Sequence, residues 1–345
     1  MRRYLSLLLV MLGILLLDSE GAVSQAPPKI ASLGSCRLLN GAEIPDCRVA
    51  YRTFGRLSAS RDNAVLIPTW LLGRSEDWLS LVGQDGVVDT AKFHVIVVDA
   101  LANGQSSSPS NTPARARSVF NGLTLADMVI SQRRLLREHL GIDHLRAVLG
   151  FSMGGMQAFE WAVRYPSEID LAIPIAGSPR TGTFDRLLWG KYLDEVETGR
   201  KAGLKPEQIW LRITQLDALL GQTPTAVNKM TWDSVQLRTR SDAAMIAKTW
   251  DLDDLSAQLR AIQGYDVTLQ TGNDLAKAGE TVRARMLIIS SPQDHIVTHD
   301  ASRDFARRIK ADTLWVTSDC GHSALWCEKP AIAAAIQNLL SSARR

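Results

Sequence analysis

Gly150-Phe151-Ser152-Met153-Gly154 places a serine directly after an apolar run ending at Leu149 and directly before a helical pattern. A serine hydroxyl is a poor nucleophile unless a neighbouring base takes its proton. It must also stand clear of the backbone, which a sharp strand–turn–helix achieves, and the flanking glycines let strand and helix pass without a Cβ clash. The helix that follows aims its first amides and its positive dipole end at the place where an oxyanion would form. In sheets built around such a turn the acid and the histidine come later in the chain, each just after a strand. Asp294 follows the run Met286–Ser290, and His322 follows Thr313–Thr317. His322 is expected to take the proton of Ser152, and Asp294 to hold the imidazole tautomer and stabilise its cation. Asp300 is the competing acid, although it sits where it would cap a helix. His295 and His299 have the spacing of a helical metal pair, but no third ligand is placed beside them, so no metal is assigned. His94, His139 and His144 receive no role.

The second oxyanion donor should come from the loop after the first central strand, Thr69-Trp70-Leu71-Leu72-Gly73. The amides of Leu71 and Met153 are the expected pair. Trp70, Trp78 and Trp326 lie beside these loops and are expected to make an aromatic substrate pocket, with packing of the core as the alternative for each.

The elements that would position these groups can be read from periodicity. Ala64–Pro68, His94–Val98, Leu145–Leu149, Leu171–Ile175, Met286–Ser290 and Thr313–Thr317 read as strands, most of them apolar at nearly every position, as strands covered on both faces are. Helical spacing occupies Leu125–Leu140, Gly154–Arg164, Ser302–Lys310 and Ala331–Leu340. This alternation predicts an α/β fold with a mostly parallel sheet between helices. Ala31–Gly55 is expected to add antiparallel strands at one edge. From Ser178 to Gly279 the alternation stops, helical patterns dominate, and Trp189, Trp210, Trp232 and Trp250 appear. The division expected is a core of residues 27–177 and 280–345 with a helical lid, 178–279, inserted into it.

The chain has 345 residues, 46% hydrophobic and 22% charged, which suits a globular protein and not a disordered one. A net charge of +3 with no internal basic run argues against a nucleic-acid partner. Arg2 and Arg3 precede an apolar stretch from Tyr4 to Leu17, with small residues near Ser24-Gln25-Ala26. The stretch falls short of the roughly 20 residues of a spanning helix. Residues 1–26 are therefore expected to be a cleaved export signal, placing the protein in the periplasm or outside the cell, an uncleaved anchor being the alternative. Cys36, Cys47, Cys320 and Cys327 permit three pairings; the short separations favour Cys36 with Cys47 and Cys320 with Cys327, against four free buried thiols.

Tyr51-Arg-Thr-Phe-Gly55, Asp62-Asn-Ala-Val-Leu66, Leu125-Ala-Asp-Met-Val129 and Ser152-Met-Gly-Gly-Met-Gln-Ala-Phe-Glu-Trp-Ala162 together resemble the homoserine O-acetyltransferase group of the α/β-hydrolase superfamily. The resemblance covers Tyr51 to Gly177 well and the Asp294 and His322 loops more loosely. It implies an α/β-hydrolase fold with a helical lid and a serine–histidine–aspartate enzyme that passes an acyl group through an acyl-serine. It also exposes departures. The family's lid holds homoserine with an arginine and, further along, a tyrosine; the matching stretch Ala218–Thr225 has Ala218 and Thr225 there. The family's aspartate after the histidine is Ser323, and the histidine of its first oxyanion loop is Thr69. A zwitterionic amino acid loses its charged partners in such a site. The expected activity is hydrolysis of a small or medium acyl ester by an exported enzyme without a cofactor. Acyl transfer from acetyl-CoA or another donor is the alternative, and a binding protein with a relic triad is a third reading. A lid of apolar helices would also offer a contact for a homodimer.

Overall fold

Residues with their side chains sent alternately to two faces must be apolar throughout if both faces are covered. The computed structural model, which describes residues 26–342, shows this in its inner strands. Its main sheet contains β1 (Lys29–Ser32), β2 (Arg48–Phe54), β3 (Ala64–Pro68), β4 (His94–Val98), β5 (Leu145–Phe151), β6 (Ile169–Ile175), β7 (Arg285–Ser290) and β8 (Asp312–Trp315). Their spatial order is β1-β2-β4-β3-β5-β6-β7-β8. The first two pairings are antiparallel and the rest parallel. Val65 and Ile67, Val95 and Val97, Leu149 and Ile173 enter one core; Leu66, Ile96, Val148, Ala172 and Ile288 enter the other. Each buried Val, Leu or Ile contributes about 1.5–3 kcal/mol, so the sheet is a firm base for the loops at its carboxyl end.

The expected antiparallel edge is β1 and β2, and a small hairpin, Cys36–Arg37 with Glu43–Ile44, lies between them in sequence. Helix α1 (Leu125–Arg134) opens with a reciprocal cap between Thr124 and Asp127 and continues as a wider π turn to His139. Helix α2 (Met153–Arg164) follows β5 with Ser152 alone between them. Between β6 and β7 come α3 (Thr183–Lys201), α4 (Pro206–Leu220), α5 (Trp232–Thr249), α6 (Leu252–Gln263) and α7 (Leu275–Thr281). In this insertion α4 packs on α5 and α3 on α6, whereas α7 turns back against α8 (Asp300–Ile309) of the core. Helix α9 (Lys329–Leu340) completes the cover of the sheet. Trp232, Leu237 and Leu219 of the insertion are exposed.

Cys36 is bonded to Cys47 and Cys320 to Cys327. The expected export signal lies outside the described residues except for Ala26. Among the described residues no helix is long and apolar enough to cross a membrane.

Candidate active site

The turn at Ser152 exists because backbone passes backbone there at distances no side chain tolerates. A Cβ on Gly150 would stand 2.2 Å from the Gly154 carbonyl oxygen, and one on Gly154 would stand 2.4 Å from that of Pro68. Ser152 takes φ 54° and ψ −121°, a left-handed conformation costing roughly 1–3 kcal/mol in a non-glycine residue. The surrounding ladder holds it: Ser152 N–H donates to the Ile175 carbonyl at 2.8 Å, while the Ser152 carbonyl accepts from Met156 at 3.0 Å.

Three distant stretches meet at this turn. His322 Nε2 lies 3.0 Å from Ser152 Oγ, and His322 Nδ1 lies 2.7 Å from Asp294 Oδ2. The other Asp294 oxygen accepts the amides of Ile296 and Val297 at 2.9 and 3.0 Å. The carboxylate is thus fixed at both oxygens and is only 2% exposed. Thr298, one residue on, is held to Asp185 of α3, whose carboxylate accepts its N–H at 3.2 Å and its hydroxyl at 3.0 Å. Burial raises the Asp185 pKa, opposed by these hydrogen bonds. Asp300 is not in the relay. It is the first residue of α8, after His299 at the cap position, and pairs with Arg303 at 2.6 Å. His299 also contacts Arg303, and no metal-type cluster of His, Cys, Asp or Glu occurs among the described residues.

The His322 loop is tied on both sides. The Cys320–Cys327 bridge spans it, and the Thr223 N–H donates to the Asp319 carbonyl at 3.1 Å. Replacing both Cys320 and Cys327 by serine is expected to cost about 2–3 kcal/mol of stability. It should lower kcat roughly ten- to hundred-fold through a misplaced imidazole. Thermal unfolding and steady-state ester turnover measure the two effects, and an unchanged kcat would remove the bridge from any positioning role.

The expected oxyanion donors are available. Neither the Leu71 nor the Met153 amide has a protein acceptor among the described residues. The loop carrying Leu71 is pinned by the inserted helices: Leu72 N–H donates to Gln258 Oε1 at 2.6 Å, and Trp250 Nε1 donates to the Leu72 carbonyl at 2.8 Å. Gln157 of α2 donates to the Thr69 carbonyl at 3.2 Å, and the Thr69 hydroxyl accepts from the Ala100 amide at 3.0 Å. Thr69 therefore braces the loop and has no opening to a ligand.

Ser152 and His322 open onto a cavity of about 330 Å³ whose walls are mostly apolar and aromatic. Trp70 and Trp326 line it, edge-on to each other at 5.7 Å, with Phe151 packed against both and the His322 ring 4.9 Å from Phe151. Trp78 does not line it, contrary to expectation. Its ring is wholly buried in the core behind Trp70, 5.5 Å away, because the short helix Ser75–Trp78 turns it inward. The far wall comes from the insertion: Trp189, Tyr192, Trp210, Asp217 and Trp250. No spacing in the sequence marked these residues. Ala218 and Thr225 are not among the lining residues, while Ser323 and Asp217, the neighbour of Ala218, are. Burial pushes the Asp217 carboxyl up to about 6, against the hydrogen bond it accepts from the Tyr192 hydroxyl.

Comparison with known proteins agrees with this architecture. Residues 63–329 match the family model described as alpha/beta hydrolase fold. An ethyl acetate hydrolase of Pseudomonas veronii is 32% identical over 291 residues, covering 80% of this chain and 83% of that one. A homoserine O-acetyltransferase of Rhodospirillum rubrum is 28% identical over 354 residues, covering 89% and 90%. The solved structure of an acetylester hydrolase from Corynebacterium glutamicum superposes with a TM-score of 0.85 at 29% identity, covering 92% of this chain and 96% of that one. The chain belongs to the α/β-hydrolase family, with homoserine O-acetyltransferases among its relatives, and is an esterase-like enzyme of that fold.

Proposed function

We propose that the protein is an exported hydrolase of small carboxylic esters that works through an acyl-serine. The single observation that carries this is the unbroken hydrogen-bonded line from Ser152 Oγ through the His322 ring to Asp294 at the floor of an apolar cavity. As Ser152 Oγ bonds to the ester carbonyl carbon, its proton passes to His322 Nε2. The carbonyl oxygen becomes an oxyanion within reach of the free amides of Leu71 and Met153. Collapse breaks the carbon–oxygen bond to the alcohol, and the imidazolium returns its proton to the leaving alkoxide. Water then adds to the acyl-serine by the same route and frees the acid. Asp294 holds the ring at Nδ1 and steadies the imidazolium throughout.

Acyl transfer is the second reading, favoured by the similarity to a homoserine O-acetyltransferase. Against it stand the missing charged clamp and water at about 55 M as the default acceptor wherever the cavity admits it. The test is covalent capture with a fluorophosphonate, followed by turnover of p-nitrophenyl acetate with added alcohols, amines and homoserine. The expected results are one adduct, on Ser152, and product ratios that follow the concentration of water. No adduct, or transfer to homoserine faster than hydrolysis, would displace the hydrolase reading.

Export is supported by the apolar stretch after Arg2 and Arg3 and by two disulfides, which persist in oxidising compartments. The exposed Trp232, Leu237 and Leu219 support the insertion as the contact of a homodimer.

A further inference from the structure

Asp217 is an unusual resident of the cavity. It lies in α4, and one of its carboxylate oxygens accepts the hydroxyl of the buried Tyr192 from α3. Among the described residues no donor reaches its other oxygen, and the residue keeps surface open to the cavity. The lining residues include two carboxyls, Asp217 and Asp77, and no lysine or arginine. Asp77 is occupied by the Arg74 amide at 2.7 Å. The basic side chains whose charge acts on Asp217 are His322 and, less strongly, Arg238 of α5, which is itself paired with Asp242 at 3.7 Å. Trp189, Trp210 and Trp250 line the same cavity, and the faces of such rings carry negative potential. A desolvated carboxylate in an aromatic-lined cavity, with no ion pair to a protein cation among the described residues, attracts a positively charged group on the ligand.

We propose that Asp217 determines specificity by binding a protonated amine carried on the alcohol part of the ester. This deepens the hydrolase reading and rests on it. The alcohol side is indicated because His322 must reach the leaving oxygen to protonate it, and Asp217 is near enough to feel the His322 charge. The absence of the amino-acid clamp makes the favoured compound an amino alcohol ester with no free carboxylate. Titration supports the assignment. With its pKa raised to about 6, chiefly by burial, Asp217 is charged at neutral pH and loses its charge as pH falls through that value. The other ionisable groups facing it are Tyr192, which burial keeps neutral far above that range, His322, and the Arg238–Asp242 pair.

The test compares 2-(dimethylamino)ethyl acetate with its uncharged isostere, 3-methylbutyl acetate, as a ratio of kcat/KM values. Any titration of His322 affects both esters and cancels in the ratio. Intrinsic reactivity cancels when the wild type is compared with Asp217→Asn. The wild-type ratio is expected to exceed that of the variant by about ten- to hundred-fold at neutral pH. The wild-type ratio should also fall as pH drops from about 7 to about 5, while the amine stays protonated, and that fall should be lost in Asp217→Asn, because Asp77, the other lining carboxyl that burial pushes up to about 6, is present in both proteins. A ratio unchanged within two-fold in the variant, or one flat with pH, would overturn the assignment. Turnover of the neutral acetate reads hydrolysis by itself; if neither ester is cleaved, the hydrolase reading and this inference fall together.

Discussion

Ser152→Ala is expected to lower ester turnover by about three to six orders of magnitude and to leave the fold in place. The contrast follows from what the side chain touches. Its hydroxyl bonds to His322 Nε2, whereas the turn is held by the Ser152 backbone, by the glycine approaches and by β5 and β6. Alanine at φ 54° meets the same strain as serine, so the turn is no worse off. The variant still has the free amides of Leu71 and Met153 and the apolar cavity. Some acceleration over water should therefore survive, since oxyanion binding and substrate positioning do not depend on the nucleophile. The measurement is p-nitrophenyl acetate turnover beside thermal unfolding and fluorophosphonate labelling. A variant within ten-fold of wild type would mean that another group attacks the ester.

The sequence made the frame of this site readable for a physical reason. Parallel strands buried on both faces leave few polar positions, so β3 to β7 stand out as apolar runs, and chain order then places Ser152, Asp294 and His322 after the carboxyl ends of β5, β7 and β8. The disulfides were readable to the extent that short separations narrow the pairings. Where side chains on loops and inserted helices point was not readable. Trp70 and Trp78 are near neighbours in sequence, yet one walls the cavity and the other is core, a difference set by one short helical turn. Gln258 pins Leu72 across 186 residues, a contact with no local pattern. Asp217 reaches the cavity only because α4 docks with that face inward, whereas the family resemblance points to its neighbour Ala218, which does not line it.

Asp294→Asn should be nearly as damaging as loss of the nucleophile, by about four orders of magnitude in kcat, for a reason built into the loop geometry. One Asp294 oxygen accepts two backbone amides, from Ile296 and Val297, so an asparagine must turn its carbonyl oxygen to that side. Its NH2 group then faces His322 Nδ1 across the 2.7 Å contact now made by a carboxylate oxygen. Two donors cannot share that contact, so Nδ1 must become the acceptor and the ring proton moves to Nε2. A protonated Nε2 cannot take the proton of Ser152, although it still lies 3.0 Å from the hydroxyl. The fold should be little affected, because both amide bonds survive. Asp294→Ala, in contrast, strips the acceptor from two buried amides and should lower stability by about 1–3 kcal/mol for each one left unpaired. Turnover and thermal unfolding of the two variants separate the effects: both should be inactive, with only the alanine form clearly less stable. An asparagine variant retaining more than a tenth of wild-type kcat would show that Asp294 does not set the histidine tautomer, and the proton path drawn through His322 would have to be redrawn.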